Sequence, residues 1–161
     1  MMAIEKTFVA VKPDGVRRGL VGEIVKRFEQ RGLKIVGMRM LWADDDFAEK
    51  HYFEHKEKPF FGGLKEYLTS GPIVAMVIEG AGAVSVVRKI VGSTSGETAL
   101  PGTIRGDFGH MSLEHANEKN KSCFNLIHAS DSLESSKREI NLWFRLEDVH
   151  TYKRADEEEV M

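Results

Sequence analysis

The sequence has a single cysteine, no apolar run near the roughly 20 residues that cross a bilayer, and no phosphate-binding loop of standard form. Each absence narrows the reading. Cys123 stands alone in an apolar run, so it closes no internal disulfide and is expected to pack as a small hydrophobe in a reducing, cytoplasmic setting. The opening M-M-A-I-E-K-T lacks the apolar core of a signal peptide, and a soluble chain with no membrane partner is expected. The pattern G-x-x-x-x-G-K-[ST] does not occur, and Gly80-Ala81-Gly82 lacks the third glycine of a dinucleotide fingerprint. Any phosphate site is therefore built another way. The formal net charge is −2, with acids gathered over 156–159, which argues against a general nucleic-acid binder, and no specific nucleic acid is expected. Internal repeats and low-complexity tracts are also missing.

What remains is a chain of 161 residues, long enough for one domain that buries roughly two thirds of its unfolded surface without staples. Residues 1–161 read as that single domain, with the charged end, 154–161, expected to fray. Along it, 7–11 reads as a strand stopped by a turn at Lys12-Pro13-Asp14-Gly15. Val21, Ile24, Val25 and Phe28 recur at helical spacing, and Gly32 is placed as the left-handed cap. A second strand over 33–41 is followed by two short helices, 44–55 and 59–69, the latter opened by Pro59. The β-branched run 73–78 predicts a central strand, with a helix over about 81–91 ended by Gly92. Residues 93–107 read as a long loop, and 123–127 as a last strand before a final helix. The order predicts an α+β ferredoxin-like sandwich, a four-stranded antiparallel sheet covered by helices on one face.

The segment 125–144 carries most of the chemistry. His128 is expected where the last strand emerges, and Asp131 with Glu134 has capping-box spacing that starts a helix near Ser132. Glu139, two turns on, lies in line with Ser132, Ser135 and Ser136 and can face back toward the imidazole. Imidazole is nucleophilic at neutral pH, and a carboxylate orients it and supports its cation. One histidine at a strand end is more often structural, so other residues must add to it. Lys12, Arg88 and Arg105 fall at element ends or in the Gly/Thr loop, and Thr94 adds a hydroxyl. Singly these are ordinary surface groups; together with an imidazole they supply the positioning and charge neutralisation of phosphoryl transfer. Phe60 can stack on an aromatic base, unless the neighbouring Phe61 is the exposed ring. His51-Tyr52-Phe53-Glu54-His55 matches H-x-x-E-H, but no third ligand is evident. Exposed histidines on a short helix are the favoured reading, and no metal site is assigned.

These segments together resemble the nucleoside diphosphate kinase family over roughly 4–153. The match runs through T-F-V-A-V-K-P-D-G-V-R-R-G-L-V-G-E-I (7–24), H-Y (51–52), K-P-F-F (58–61), S-G-P-I-V-A-M-V (70–77), P-G-T-I-R-G-D-F (101–108) and N-L-I-H-A-S-D-S (125–132). The resemblance implies a ping-pong exchange in which a nucleoside triphosphate phosphorylates His128 and a nucleoside diphosphate collects the phosphate, with broad base specificity. It places Lys12 on ribose and the transferring phosphate, with Tyr52 near it, and Asn125 on ribose. Arg88, Thr94 and Arg105 form the phosphate clamp, Phe60 stacks on the base, and Ser130 and Glu139 orient the histidine. It implies Mg2+ held through the nucleotide phosphates, and a homohexamer or homotetramer with contacts near a threefold axis at 93–102.

Two departures from the family pattern stand out. Between Phe108 and Asn125 the chain carries an insert, 109–122, expected as an ordered hairpin or short helix at the rim of the site. The residue covering the second face of the base is then Ser122 or one from the insert. Ser95-Gly96 stands where the family commonly has proline, and the tail lacks an aromatic ending, so hexamer stability is less secure than catalysis. Two other classes share the scaffold: a non-catalytic regulatory or nucleic-acid-binding protein, and a phosphate relay from His128 to proteins. The intact residue set argues against the first.

Overall fold

Five successive buried residues, 7–11, end the first strand, Ile4–Val11 (β1), and such a run is stable only where both faces of a sheet are covered. The computed structural model describes residues 2–161; Met1 lies outside them. β1 pairs antiparallel with Ile73–Ala81 (β3) and with Ile127–Ala129 (β4), and β3 pairs antiparallel with Lys34–Leu41 (β2). The order is β2-β3-β1-β4, the expected ferredoxin-like arrangement with β3 inside the sheet.

The helices lie on both faces, which corrects the one-sided cover expected. Val9 and Val11 share a core with Ile24 and Phe28 of Val21–Gln30 (α2) and with Val87 and Val91 of Ala83–Val91 (α5). Phe8 and Ala10, pointing the other way, pack with Ala48 of Asp45–His51 (α3), Leu68 of Phe61–Thr69 (α4) and Trp143 of Leu133–Trp143 (α8). The pair read as an insertion, α3 and α4, is thus part of the second layer.

Other boundaries move for identifiable reasons. The turn expected at 12–15 is a helix, Pro13–Arg17 (α1), with proline at its first position. Pro59 does not open α4; the helix begins at Phe61 after Phe60. β3 runs on to Ala81, and α5 starts only after Gly82 turns left-handed at φ 59°. The long loop after Gly92 ends in a short helix, Ile104–Phe108 (α6), capped by Thr103. The last strand begins later than expected, at Ile127, because Leu126 takes φ 74° and its N–H bonds Asp14 Oδ2 at 3.2 Å. His128 therefore lies inside β4 rather than beyond it. α8 is capped by Ser132, whose Oγ accepts from Ser135 N–H at 3.0 Å, not by Asp131.

The insert contains a short helix, Leu113–Glu118 (α7), one of the two forms expected. The tail, for which fraying is expected, folds back as Glu157–Val160 (α9). Arg154 donates to Leu33 O at 2.7 Å, and Glu157 pairs with the buried Lys34 at 2.9 Å. Lys34 and Arg154 each donate to a backbone carbonyl more than a hundred residues away in the chain.

Candidate active site

The site forms at one end of β1. Lys12 leaves that strand, its N–H bonding Leu126 O at 2.8 Å, and Ala10 pairs with His128 across the β1–β4 ladder. A cleft of about 1130 Å³ opens there. Every site residue named from the sequence lines it except Ser130, which stands behind, 1% exposed.

His128 Nε2 lies 2.9 Å from Glu139 Oε2, and Ser130 Oγ donates to the same oxygen at 2.5 Å. The helical spacing that aimed Glu139 at the imidazole is realised, because α8 starts just after β4 and runs back beneath it. With Nε2 committed to the carboxylate, Nδ1 is the nitrogen free to react. Lys12 Nζ donates to Asn125 Oδ1 at 2.9 Å, and Asn125 Nδ2 donates to Thr94 O at 3.1 Å. Burial, with Arg105 nearby, lowers the Lys12 ammonium to about 7. Arg105 is 4% exposed and is lowered to about 10 by burial and by Arg88. Its guanidinium donates to Gly92 O at 3.2 Å, Asn125 O at 3.2 Å and Ile127 O at 2.6 Å. Arg88 donates to Ala129 O at 3.1 Å. Burial holds the Tyr52 phenol above its ordinary value, so it stays a neutral O–H. Phe60 is 53% exposed at the mouth, while Phe61 is only partly exposed and packs toward the core.

Four functional neighbours escape a sequence reading. His51, expected as an exposed histidine, is 3% exposed, its ring centroid 4.7 Å from that of His128. Trp143 Nε1–H donates to His51 Nδ1 at 3.1 Å. Ligand atoms of His51, His128 and Glu139 lie within 4.8 Å of one another. This set does not suit a metal, since the indole bond leaves the ring hydrogen on His51 Nε2, a donor and not a lone pair. Asp14 accepts from Tyr67 O–H and from Leu126 N–H, and Lys12 Nζ sits 4.9 Å over the Tyr67 ring. Asp14 thereby holds Leu126 in its left-handed conformation and sets the approach of Asn125 to Lys12. Removing the phenol by Tyr67→Phe leaves a buried carboxylate short of a donor, an expected loss of about 1–3 kcal/mol in urea unfolding. A change below about 0.5 kcal/mol would mean that water replaces the phenol.

An imidazole, a hydroxyl and three cations in one cleft of a ferredoxin-like sheet are the equipment of a nucleotide phosphotransferase. The model of the family described as "Nucleoside diphosphate kinase" matches residues 5–149. The chain is 55% identical to nucleoside diphosphate kinase of Pyrococcus horikoshii, across 96% of this chain and 94% of that one. Among solved structures it is similar to the Borrelia burgdorferi nucleoside-diphosphate kinase with bound vanadate and ADP, with TM-score 0.93 and 44% identity over 97% and 96% of the two chains. The Halobacterium salinarum kinase in complex with CDP gives TM-score 0.89 and 45% identity over 99% of each. The chain belongs to the nucleoside diphosphate kinase family, enzymes that move phosphate between nucleotides. Members act on nucleoside phosphates, require a divalent cation and are generally oligomeric. The cationic phosphate end of the cleft suits an ion that arrives on the nucleotide's phosphates. Among the described residues, no helix is long and apolar enough to cross a membrane.

Proposed function

We propose that His128 carries the phosphate from a nucleoside triphosphate, typically ATP, to a nucleoside diphosphate. The observation that carries this reading is the Nε2–Glu139–Ser130 unit in a residue that lines the cleft, which leaves Nδ1 as the uncommitted nitrogen. Nδ1 attacks the γ-phosphorus in line, an N–P bond forms, and the bond to the β–γ bridging oxygen breaks. The imidazolium so formed keeps its Nε2–H on Glu139, whose charge is held in place by Ser130. The nucleoside diphosphate leaves, and a second one attacks the phosphorus through its terminal phosphate oxygen, returning the imidazole to its neutral form.

Lys12, Arg88, Arg105 and Thr94 hold the phosphates, and Tyr52, neutral at working pH, donates a hydrogen bond near the transferring group. Asn125 and Lys12, linked at 2.9 Å, meet the ribose. Phe60 stacks on the base, and stacking reads no base edge, which supports broad specificity. A divalent cation such as Mg2+ would be held mainly by the nucleotide's phosphates and water beside Lys12, Arg88 and Arg105, and would supply charge neutralisation there; no protein cage is needed. The homohexamer is the favoured assembly, with 93–102 near the threefold axis and a homotetramer as the alternative; the setting is cytoplasmic.

Initial rates with ATP and GDP varied together test the exchange. Parallel double-reciprocal lines are expected; lines that intersect would mean that both nucleotides bind at once, and the phosphohistidine would be abandoned. The depressed Lys12 gives a second expectation. At pH 8, above the Lys12 value of about 7, the free side chain is mostly neutral, and bound phosphates favour the charged form, so nucleotide binding there is expected to take up protons. Calorimetry in buffers of different ionisation enthalpy reads this, and Lys12→Met should abolish it.

A further inference from the structure

Two imidazoles stand side by side in the cleft, and the phosphate chemistry uses one. His51 ends α3 and is 3% exposed, yet it lines the cleft with His128, their ring centroids 4.7 Å apart and their planes at 82°. Phe8 packs against both, its ring 5.8 Å from His128 and 6.2 Å from His51. The torsion that turns a histidine ring is broad, so the single bond from Nε2 to Glu139 pins the His128 plane only softly. The edge-on ring of His51 is the nearer of its two aromatic walls.

His51 is itself held by the helix that carries Glu139. Arg138 Nη1 donates to His51 O at 3.4 Å and the Trp143 indole donates to its Nδ1 at 3.1 Å, so α8 grips the residue at backbone and ring. An indole offers a donor and no acceptor, which demands a lone pair on Nδ1 and excludes both the imidazolium and the other neutral tautomer. Trp143 is fully buried, so its N–H has no water to turn to. The surrounding charges act in the same direction. Burial, with His128 on β4, Lys12 after β1, Arg138 on α8 and His55 in the 3₁₀ turn after α3, holds the His51 imidazole well below its ordinary value. The carboxylate within reach, Glu139, is taken by His128 and Ser130, with Arg138 3.6 Å from its other oxygen, and the Tyr52 phenol stays neutral.

We propose that His51 is a positioning residue for His128: it walls the nucleophilic ring edge-on, and the Trp143 N–H keeps that wall uncharged. This goes beyond the phosphohistidine reading and rests on it. When His128 takes the phosphate its ring becomes an imidazolium, and a second cation 4.7 Å away would oppose the step that forms it. A ring free to swing would carry Nδ1 off the in-line path, and a misplacement of about 1 Å costs such a step on the order of 10²-fold. His51 acts through His128 and not on the nucleotide.

Rates, affinities and ring NMR test this together. His51→Ala is expected to lower kcat about 10- to 100-fold, with affinity for ADP and Mg2+ kept within about twofold. His51→Phe supplies a neutral ring of similar shape and should bring kcat back to within about fivefold of wild type, although it leaves the buried indole N–H unpaired and lowers the midpoint of thermal unfolding. A purely structural role would make kcat follow stability instead. In the free, ¹⁵N-labelled protein, His51 should keep Nε2–H and a bare Nδ1 from about pH 8 to about pH 5.5, and in Trp143→Phe its titration should move to higher pH, because a donor to the neutral form is gone. The proposal is overturned by a His51→Ala protein that keeps more than about half of the wild-type kcat, by an equal loss in ADP affinity, or by a loss in His51→Phe as large as in His51→Ala. A wild-type His51 that carries Nδ1–H or titrates within that range overturns it as well. The NMR measurement involves no turnover, so failure of His128 as phosphate carrier registers separately, in the labelling of the protein by ATP.

Discussion

Replacing His128 by alanine is expected to lower phosphate transfer between nucleotides by about 10⁴-fold or more, with nucleotide binding nearly kept. The imidazole is the ring that Glu139 and Ser130 orient for attack, whereas the neighbouring His51 is tied by Trp143 and presents a hydrogen. Arg88 and Arg105 offer no nucleophile, and bound phosphates favour the charged, non-nucleophilic form of Lys12. Fold stability should fall by about 1–3 kcal/mol, since the buried Glu139 loses its imidazole partner and keeps the Ser130 hydroxyl. A variant that keeps more than about a hundredth of the rate would point to direct transfer between two bound nucleotides.

The next largest effect is expected at Arg105, where a change that keeps the charge should still be severe. Arg105→Lys removes a planar fork that spans three backbone carbonyls, from Gly92, Asn125 and Ile127. A lysine ammonium cannot reach all three, so buried carbonyls lose their partners and β4 loosens beneath His128. About 2–4 kcal/mol of stability should be lost, with a fall of about 10²-fold or more in kcat/KM. Thermal unfolding and steady-state rates read the two effects. If stability drops while kcat/KM holds, the guanidinium is structural and the phosphates rest on Lys12 and Arg88.

How far these residues could be seen in advance depended on the range of the interactions. Glu139 was legible because a helix carries its own ruler: eleven residues after His128 on a capped helix, the carboxylate returns to the strand it left. Lys12 was legible because proline after a strand forces a change of direction. The four strands and their order followed from apolar runs and breakers. The cover on both faces of the sheet was not, since short helices at 45–51 and 61–69 give no local sign of which face they pack on. His51 looked exposed on a short helix, and the groups that bury and orient it, Phe8, His128 and an indole 92 residues away, are distant in the chain. Asp14 and Tyr67, 53 residues apart, read as a turn residue and a helical aromatic until Leu126 is seen between them. The shift of the last strand has the same source, for nothing local to Leu126 announces a left-handed leucine. Gly96 belongs with these: its missing side chain matters only because the insert crosses it.

The central claim is that phosphate rests on His128 between two nucleotides. The measurement that tests it most directly is to expose the protein to γ-labelled ATP with Mg2+, isolate it, map the acid-labile label, and then add unlabelled GDP. The expected result is label on Nδ1 of His128 that moves completely to GTP. A protein that takes up no label, or one whose label stays bound through the chase, would contradict it.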